Sequence, residues 1–262
     1  MKFGLIGNGA IATYVRHGLE QRGHQLGALL LRPERVAEPD AEQSVPRVAA
    51  ISDLPADLDL MIDCAGHVAL RDHGPGLLRS GRDLVTVSIG AMADQQVADE
   101  LLQAAGEGGA TLHLASGAIG GLDVLRAANA GTLTSVRYVG RKPPKGWVGS
   151  RAEDLLDLAA ITDRPETHFT GSARQAALAY PKNANVAAAV ALAGIGFDRT
   201  QVELIADPGV SANIHEVQAT GDFGRFDIRI AGQALPGNPR SSALAAMSVI
   251  STVEQIVSPM RF

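Results

Sequence analysis

The sequence predicts an α/β chain of two domains: a parallel sheet with crossover helices, then an α+β domain with a largely antiparallel sheet. Three observations carry that prediction. Over the first 115 residues short apolar runs alternate with amphipathic stretches, the pattern of βαβ units. A glycine-rich turn, Gly7-Asn8-Gly9-Ala10-Ile11-Ala12, follows the first apolar run directly. After Gly121 the rhythm changes to strand-like segments with few long helices between them. The first domain is therefore expected to be Rossmann-type over residues 1–116, the second to span 117–240, and a closing helix at 241–262 to pack back on the first.

Taken in order, strands are predicted at Lys2–Ile6, Gln25–Leu31, Val48–Ile51, Leu58–Cys64, Leu84–Ser88 and Thr111–Ala115. Helices fit between them at Ala10–Arg22, Val68–Ser80 and Asp94–Ala105. Pro75 should kink or shorten the second helix, because it lacks an N–H and its ring crowds the preceding turn. Gly23, Gly81 and Gly106 are placed to end the three helices in a left-handed conformation. In the second domain strands are expected at Ser135–Arg141, Thr167–Gly171, Gln201–Ala206, Ile214–Thr220 and Arg225–Ala231. Asn185–Gly194 reads as a buried helix of small residues, and Ser241–Ile256 as an amphipathic helix capped by Ser241 or Ser242.

Composition narrows the functional classes. Hydrophobic residues make up 46% and charged residues 19%, which suits a packed globular chain rather than a disordered one. The net charge is −5 and no Lys/Arg cluster is long enough to track a phosphate backbone, so nucleic acid is not an expected partner. No apolar run approaches the roughly 20 residues needed to span a bilayer, so no membrane association is expected. The single cysteine, Cys64, excludes an intrachain disulfide and suits a reducing compartment, which makes a cytoplasmic location the expectation. The histidines lack metal-ligand spacing, and no metal site is expected.

The turn at Gly7–Ala12 matches the G-x-G-x-x-G/A dinucleotide fingerprint in its proper context, after a strand and opening a helix. Gly7 permits the tight turn, Gly9 lets a pyrophosphate approach the backbone, and Ala12 keeps the helix near the sheet. Asn8, Ala10 and Ile11 complete the candidate phosphate loop, and Cys64 and Ala65 leave the fourth strand on the same side. The second strand ends Leu30-Leu31-Arg32-Pro33-Glu34-Arg35, with no acid at its tip to hold a ribose 2′-hydroxyl. Arg32, with Arg35, could pair with a 2′-phosphate or simply be solvated. The cofactor is read as NAD or NADP.

Three later segments hold more glycine, asparagine and histidine than packing requires: Ser116–Gly121 (SGAIGG), Pro181–Asn185 (PKNAN) and Asn213-Ile214-His215. With Lys142-Pro143-Pro144-Lys145, Ala206-Asp207-Pro208 and the extended forms SGAIGGLDVLR and PKNANVA, they make the whole chain resemble the L-aspartate dehydrogenase family. The resemblance implies oxidative deamination of L-aspartate with NAD or NADP, through iminoaspartate to oxaloacetate and ammonia. It also implies a link to NAD biosynthesis and a homodimer. It maps the family's active-site histidine onto His215, and cofactor contacts of the second domain onto Ala118 and Asn185.

Histidine, with an ordinary pKa of about 6.5, exchanges protons near neutral pH, as imine chemistry requires. A dicarboxylate substrate needs donors, for which Ser116, Lys142, Lys182, Asn183 and Asn213 are candidates, with Lys145 as a further lysine. His17, His24, His73, His113 and His168 read as ordinary. Two other readings remain: a reductase of dihydrodipicolinate-reductase-like layout acting on a related C=N or C=O, and a non-catalytic NAD(P)-sensing protein.

Overall fold

The computed structural model describes residues 1–37, 45–181, 183–235 and 238–260. The chain forms two compact units. The first comprises Met1–Ala91, Gln95–Ala115 and the segment that begins at Ala245; the second comprises Met92–Asp94 and Ser116–Leu244.

The first unit contains β1 (Lys2–Ile6), α1 (Ala10–Glu20), β2 (Gln25–Leu30), α2 (Pro33–Val36), β3 (Arg47–Val48), β4 (Leu60–Asp63), α3 (His67–Arg79), β5 (Leu84–Thr86), α4 (Gln95–Gly108) and β6 (Leu112–Leu114). The strands form one parallel sheet in the order β3-β2-β1-β4-β5-β6, so the order reverses between β1 and β4. That reversal is the doubly wound switch point, where ligands sit at the carboxyl ends of the strands. All four residues of β4 and three of β5 are buried, as expected of strands covered by helices on both faces. On α1, Ala12, Val15 and Leu19 line the buried stripe at helical spacing.

Several expectations are corrected here. The third strand is shorter than predicted: only Arg47–Val48 pair with β2, and Ile51 already begins a 3₁₀ turn. Pro75 does not shorten α3, which continues to Arg79 with Pro75 buried inside it. Gly23 and Gly81 take the left-handed conformation expected of helix ends (φ +83 and +79), but Gly106 lies within α4 and Gly109 (φ +62) takes that part.

The second unit contains α5 (Leu122–Asn129), β7 (Leu133–Lys142), β8 (Glu166–Ser172), α6 (Ala173–Ala179), α7 (Asn185–Ala193), β9 (Gln201–Ala206), β10 (Asn213–Gly221), β11 (Gly224–Gly232), β12 (Ala234–Leu235) and β13 (Asn238–Ser242). Its main sheet runs β11-β10-β7-β9-β8; the β7–β9 pair is parallel and the other three are antiparallel. Helix α6 was not anticipated, although Ser172 and Gln175 form a capping box that the sequence spells out. The alanine-rich α7 is buried along most of its length, and its small side chains let α5 and α6 pack against it.

The predicted closing helix begins later than expected. α8 runs Ala243–Val257, and Ser241 and Ser242 belong to β13 instead of capping it, because the chain pairs with β12 before turning into the helix. Within the first unit α8 meets α1 closely: a β-carbon at Gly18 would lie 2.3 Å from Ile250 Cδ1. Among the described residues no helix is long and apolar enough to cross a membrane.

Candidate active site

In the first unit the glycine turn leaves β1 at the switch point. Gly7 has φ +88, and a β-carbon there would lie 3.0 Å from Ala65 Cβ, so only glycine lets the β1 and β4 turns pack together. A β-carbon on Gly9 would meet nothing within 4 Å, leaving open space over the backbone. Gly9 is the N-cap of α1 and no side chain occupies that end, so first-turn N–H groups are available to an anion. The Asn8 Oδ1 atom is buried without a hydrogen-bond partner. An open cradle, an uncapped helix end and an orphaned polar atom fit the pyrophosphate of a dinucleotide. Ala10 is exposed, Ile11 half-buried and Ala12 buried on the sheet side.

Asp63 ends β4 fully buried, and sequence reasoning passed over it. Its Oδ2 accepts from Thr86 Oγ1 (2.7 Å) and Ser88 Oγ (2.6 Å), and its Oδ1 from the Ala65 N–H (2.9 Å). Burial pushes its pKa up against the opposing effect of these donors. The network holds the Cys64-Ala65-Gly66 turn against Gly7. Loss of solvent, reinforced by Asp63, pushes the Cys64 thiol well above its ordinary pKa, which removes it as a nucleophile. Arg32 stands at the N-cap of α2, largely exposed, with its guanidinium 3.5 Å from Glu34.

In the second unit the pairing register places Gly140 opposite His215 and Tyr138 opposite Val217. Alternation along β7 then sets Tyr138, Gly140 and Lys142 on one face, shared by His215. His215 is buried, and its Nδ1 lies 2.8 Å from the Tyr138 hydroxyl with the two rings stacked at 6.0 Å. Burial, and then the Lys142 charge, push His215 down to about 4. Lys142 is itself buried; its Nζ donates to Asn183 Oδ1 (2.8 Å) and sits 4.8 Å from the centre of the Trp147 ring. Burial lowers its pKa to about 8. Among the described residues no carboxylate pairs with this ammonium group.

Trp147 is anchored by its Nε1 donating to the Ile205 carbonyl (3.0 Å), and the His168 ring meets it edge-on at 4.3 Å. His168 falls where the β8–β9 register slips, between the Thr167–Ile205 and Phe169–Leu204 pairs. Such a bulge re-aims one side chain. Its Nδ1 bonds the Tyr180 hydroxyl (3.0 Å), its Nε2 is buried without a partner, and burial together with Lys142 pushes it down to about 4. The reading of His168 as ordinary is thus corrected: it belongs to the Lys142 cluster.

The structure therefore brings His215, Lys142 and Asn183 together, and Asn213 joins them. A β-carbon on Gly146 would lie 3.2 Å from Lys142 Cβ and 3.9 Å from Asn213 Oδ1. Ser116 opens the second unit, half-buried, with no hydrogen bond to this cluster among the described residues. Ala118 is buried, and Asn185 is the half-buried first residue of α7. Lys145 is exposed in a 3₁₀ turn, and Lys182 lies outside the described residues. Tyr138, Trp147, His168 and Tyr180 escaped sequence reasoning because nothing local marks them; what links them is register and a bulge. Among the described residues no group of three His, Cys, Asp or Glu side chains is placed to hold a metal.

A doubly wound parallel sheet with an open glycine cradle on one unit, and a buried lysine–histidine cluster on the other, suit a pyridine-nucleotide-dependent dehydrogenase, and that is the class to which this fold belongs. Residues 123–256 match the model "Aspartate dehydrogenase, C-terminal", and residues 3–115 match "Homoserine dehydrogenase, NAD binding domain". The chain belongs to the aspartate dehydrogenase family. It is 56% identical to an L-aspartate dehydrogenase of Ruegeria pomeroyi, over 97% of this chain and 92% of that one. It is 48% identical to one from Ralstonia nicotianae, over 78% of this chain and 77% of that one. The crystal structure of an aspartate dehydrogenase from Thermotoga maritima shares the fold, with a TM-score of 0.79 at 24% identity, covering 100% of this chain and 99% of that one.

Proposed function

We propose that this protein catalyses the reversible, NAD(P)-dependent oxidative deamination of L-aspartate, through iminoaspartate to oxaloacetate and ammonia. Family membership supports the reaction, and favours it over a dihydrodipicolinate-reductase-like activity or a sensor. The observation that carries the substrate class is Lys142, a buried ammonium group without a carboxylate partner among the described residues. Burying an unpaired cation is costly, and a substrate carboxylate would offset that cost. Asn183 already orients the ammonium group, and Asn213 and the Lys142 stem both lie against Gly146.

A bound nicotinamide would supply the hydride acceptor for C2 of the substrate. Gly7, Asn8, Gly9 and the first turn of α1 would hold its pyrophosphate, with Ala10, Ile11, Ala12, Cys64 and Ala65 around that loop; Ala118 and Asn185 are proposed as cofactor contacts on the family resemblance alone. His215 would exchange the proton on the oxygen or nitrogen at C2. A carboxylate on Lys142 would oppose the smaller, coulombic part of the effect that holds the His215 pKa down, while burial continues to lower it. Both NAD and NADP are proposed as cofactors, because the tip of β2 carries Arg32 and no acid. Iminoaspartate made here could feed NAD biosynthesis. We also propose a cytoplasmic homodimer, in keeping with the single cysteine and the open sheet edges at β8 and β11. A monomeric mass at micromolar concentration would overturn the dimer.

The test of the reaction is absorbance at the nicotinamide band with L-aspartate and either NAD⁺ or NADP⁺, run beside a panel of other amino acids. Reduction that depends on L-aspartate is expected. No reduction with either cofactor would overturn the proposal.

A further inference from the structure

We infer that Tyr138 is a positioning residue that sets the tautomer of His215, so that the resting imidazole carries its proton on Nε2 and meets the substrate as a hydrogen-bond donor. The inference rests on the reading that His215 faces the substrate. Three observations carry it. The Tyr138 hydroxyl and His215 Nδ1 are 2.8 Å apart in a buried setting, so each must satisfy the other. The hydroxyl has no second partner among the described residues. If Nδ1–H donated to the phenol oxygen, the phenol hydrogen would be left buried and unpaired, at a cost that the reverse arrangement avoids. Donation by Tyr138 leaves Nδ1 as acceptor, and a neutral ring must then carry its hydrogen on Nε2. That nitrogen has no protein partner among the described residues.

The third observation is that the backbone makes room for this bond. Gly140 lies opposite His215 in the register, and a β-carbon there would lie 2.8 Å from the Tyr138 oxygen and 3.1 Å from Leu204 Cδ2. Tyr138 thus lies along its own strand over Gly140 to reach His215. Burial raises the phenol pKa, so Tyr138 keeps its proton and remains the donor. Lys142 is the charged group bearing on the ring from β7, and it opposes a second proton on His215; from β11 the facing residue is Ile230, which does not titrate. His215 therefore begins as a donor to the oxygen or nitrogen on C2. It can accept a proton at Nε2 only in the opposite neutral tautomer, once Nε2 has released its hydrogen, Nδ1 has taken one from solvent and the Tyr138 hydroxyl has turned to accept from Nδ1.

The test is nitrogen-15 NMR of the histidine side chains in the full-length protein at neutral pH, with His215→Asn used to assign the signal. An Nε2–H ring with an unprotonated, hydrogen-bonded Nδ1 is expected in the parent protein. The reverse tautomer, or an even mixture, would overturn the inference without any reference to activity. Tyr138→Phe, which keeps the ring and the packing, should give a tautomer mixture and lower kcat by at least about tenfold, while the dissociation constant for the reduced cofactor stays within a few-fold. That expected loss is below the 10²–10⁴ typical of a positioned acid–base group itself. A Tyr138→Phe protein with parental tautomer and kcat overturns the role of Tyr138. His215→Asn separates the two levels: if it turns over L-aspartate normally, the reading of His215 fails, whereas an inactive His215→Asn beside a normal Tyr138→Phe defeats the tautomer inference alone.

Discussion

The Tyr138 hydroxyl reaches His215 Nδ1 at 2.8 Å because the residue between them in the register, Gly140, has no side chain. The candidate histidine is thus oriented by a strand neighbour two positions from a glycine, and the strand pairing makes the site as much as the side chains do.

Gly140→Ala should therefore act on activity more than on folding. The added methyl group displaces the Tyr138 oxygen or Leu204, at the 1–3 kcal/mol typical of overpacking. A modest drop in Tm with a disproportionate loss of kcat is expected, checked by a thermal melt and kinetics on one preparation. Parental kcat would show that the phenol contact has no catalytic consequence.

Lys142→Met should yield a more stable and far weaker enzyme. With a folded pKa near 8 against an ordinary 10.5, Lys142 binds fewer protons in the folded chain than in the unfolded one between those values. Stability from this residue therefore rises with pH from about 8 to 10.5, and at neutral pH the full penalty applies, on the order of 3 kcal/mol. Methionine removes the penalty while filling the volume. Denaturant unfolding from pH 7 to 10.5 should show the rise in the parent and its loss in the variant. The KM for L-aspartate should increase roughly 10- to 100-fold, the worth of a charge-assisted hydrogen bond. A variant that is both less stable at neutral pH and unchanged in KM would refute the carboxylate site.

Arg32→Asp should discriminate between cofactors. The guanidinium at the end of β2 has Glu34 3.5 Å away, which would compete with a 2′-phosphate for it. Replacing it with an acid adds repulsion and should raise the KM for NADP far more than that for NAD. Equal effects on both would remove Arg32 from the ribose site.

Asp63→Ala should weaken the dinucleotide. Its carboxylate gathers Thr86, Ser88 and the Ala65 N–H, and Ala65 backs the Gly7 turn. Removing the acceptor leaves two buried hydroxyls, Thr86 and Ser88, without it, at about 1–3 kcal/mol for each that stays unsatisfied, and frees the part-buried Ala65 N–H. Titration calorimetry with the reduced cofactor should show a larger Kd together with a lower Tm. An unchanged Kd would mean that the β4 turn keeps its shape without Asp63.

Much of the first unit was legible because its signals are local. The Gly7–Ala12 turn, the alternation of apolar runs and the β1 boundaries depend on residues adjacent in the chain, and β1 appears as predicted, Lys2–Ile6. The closing helix was placed too early because Ser241 and Ser242 have good capping chemistry, yet pairing with β12 claimed that backbone first. His168 was passed over for a related reason. Alone it is one histidine in a polar edge strand, and its value comes from a register slip that turns it toward Trp147.

By itself the sequence determined the class of each domain, the dinucleotide turn, and Lys142, Asn183 and Asn213 as candidate donors, because helix period, turn chemistry and side-chain chemistry are written residue by residue; His215 was marked by the family resemblance. Tertiary structure decided which of those candidates meet and what state they hold. It set Gly140 across from His215, left Lys142 buried without a counter-ion among the described residues, and tied Asp63 to the turn behind Gly7. The physical reason is that strand register and burial are set by residues far apart in the chain, and pKa values and hydrogen-bond partners follow from them rather than from the local sequence.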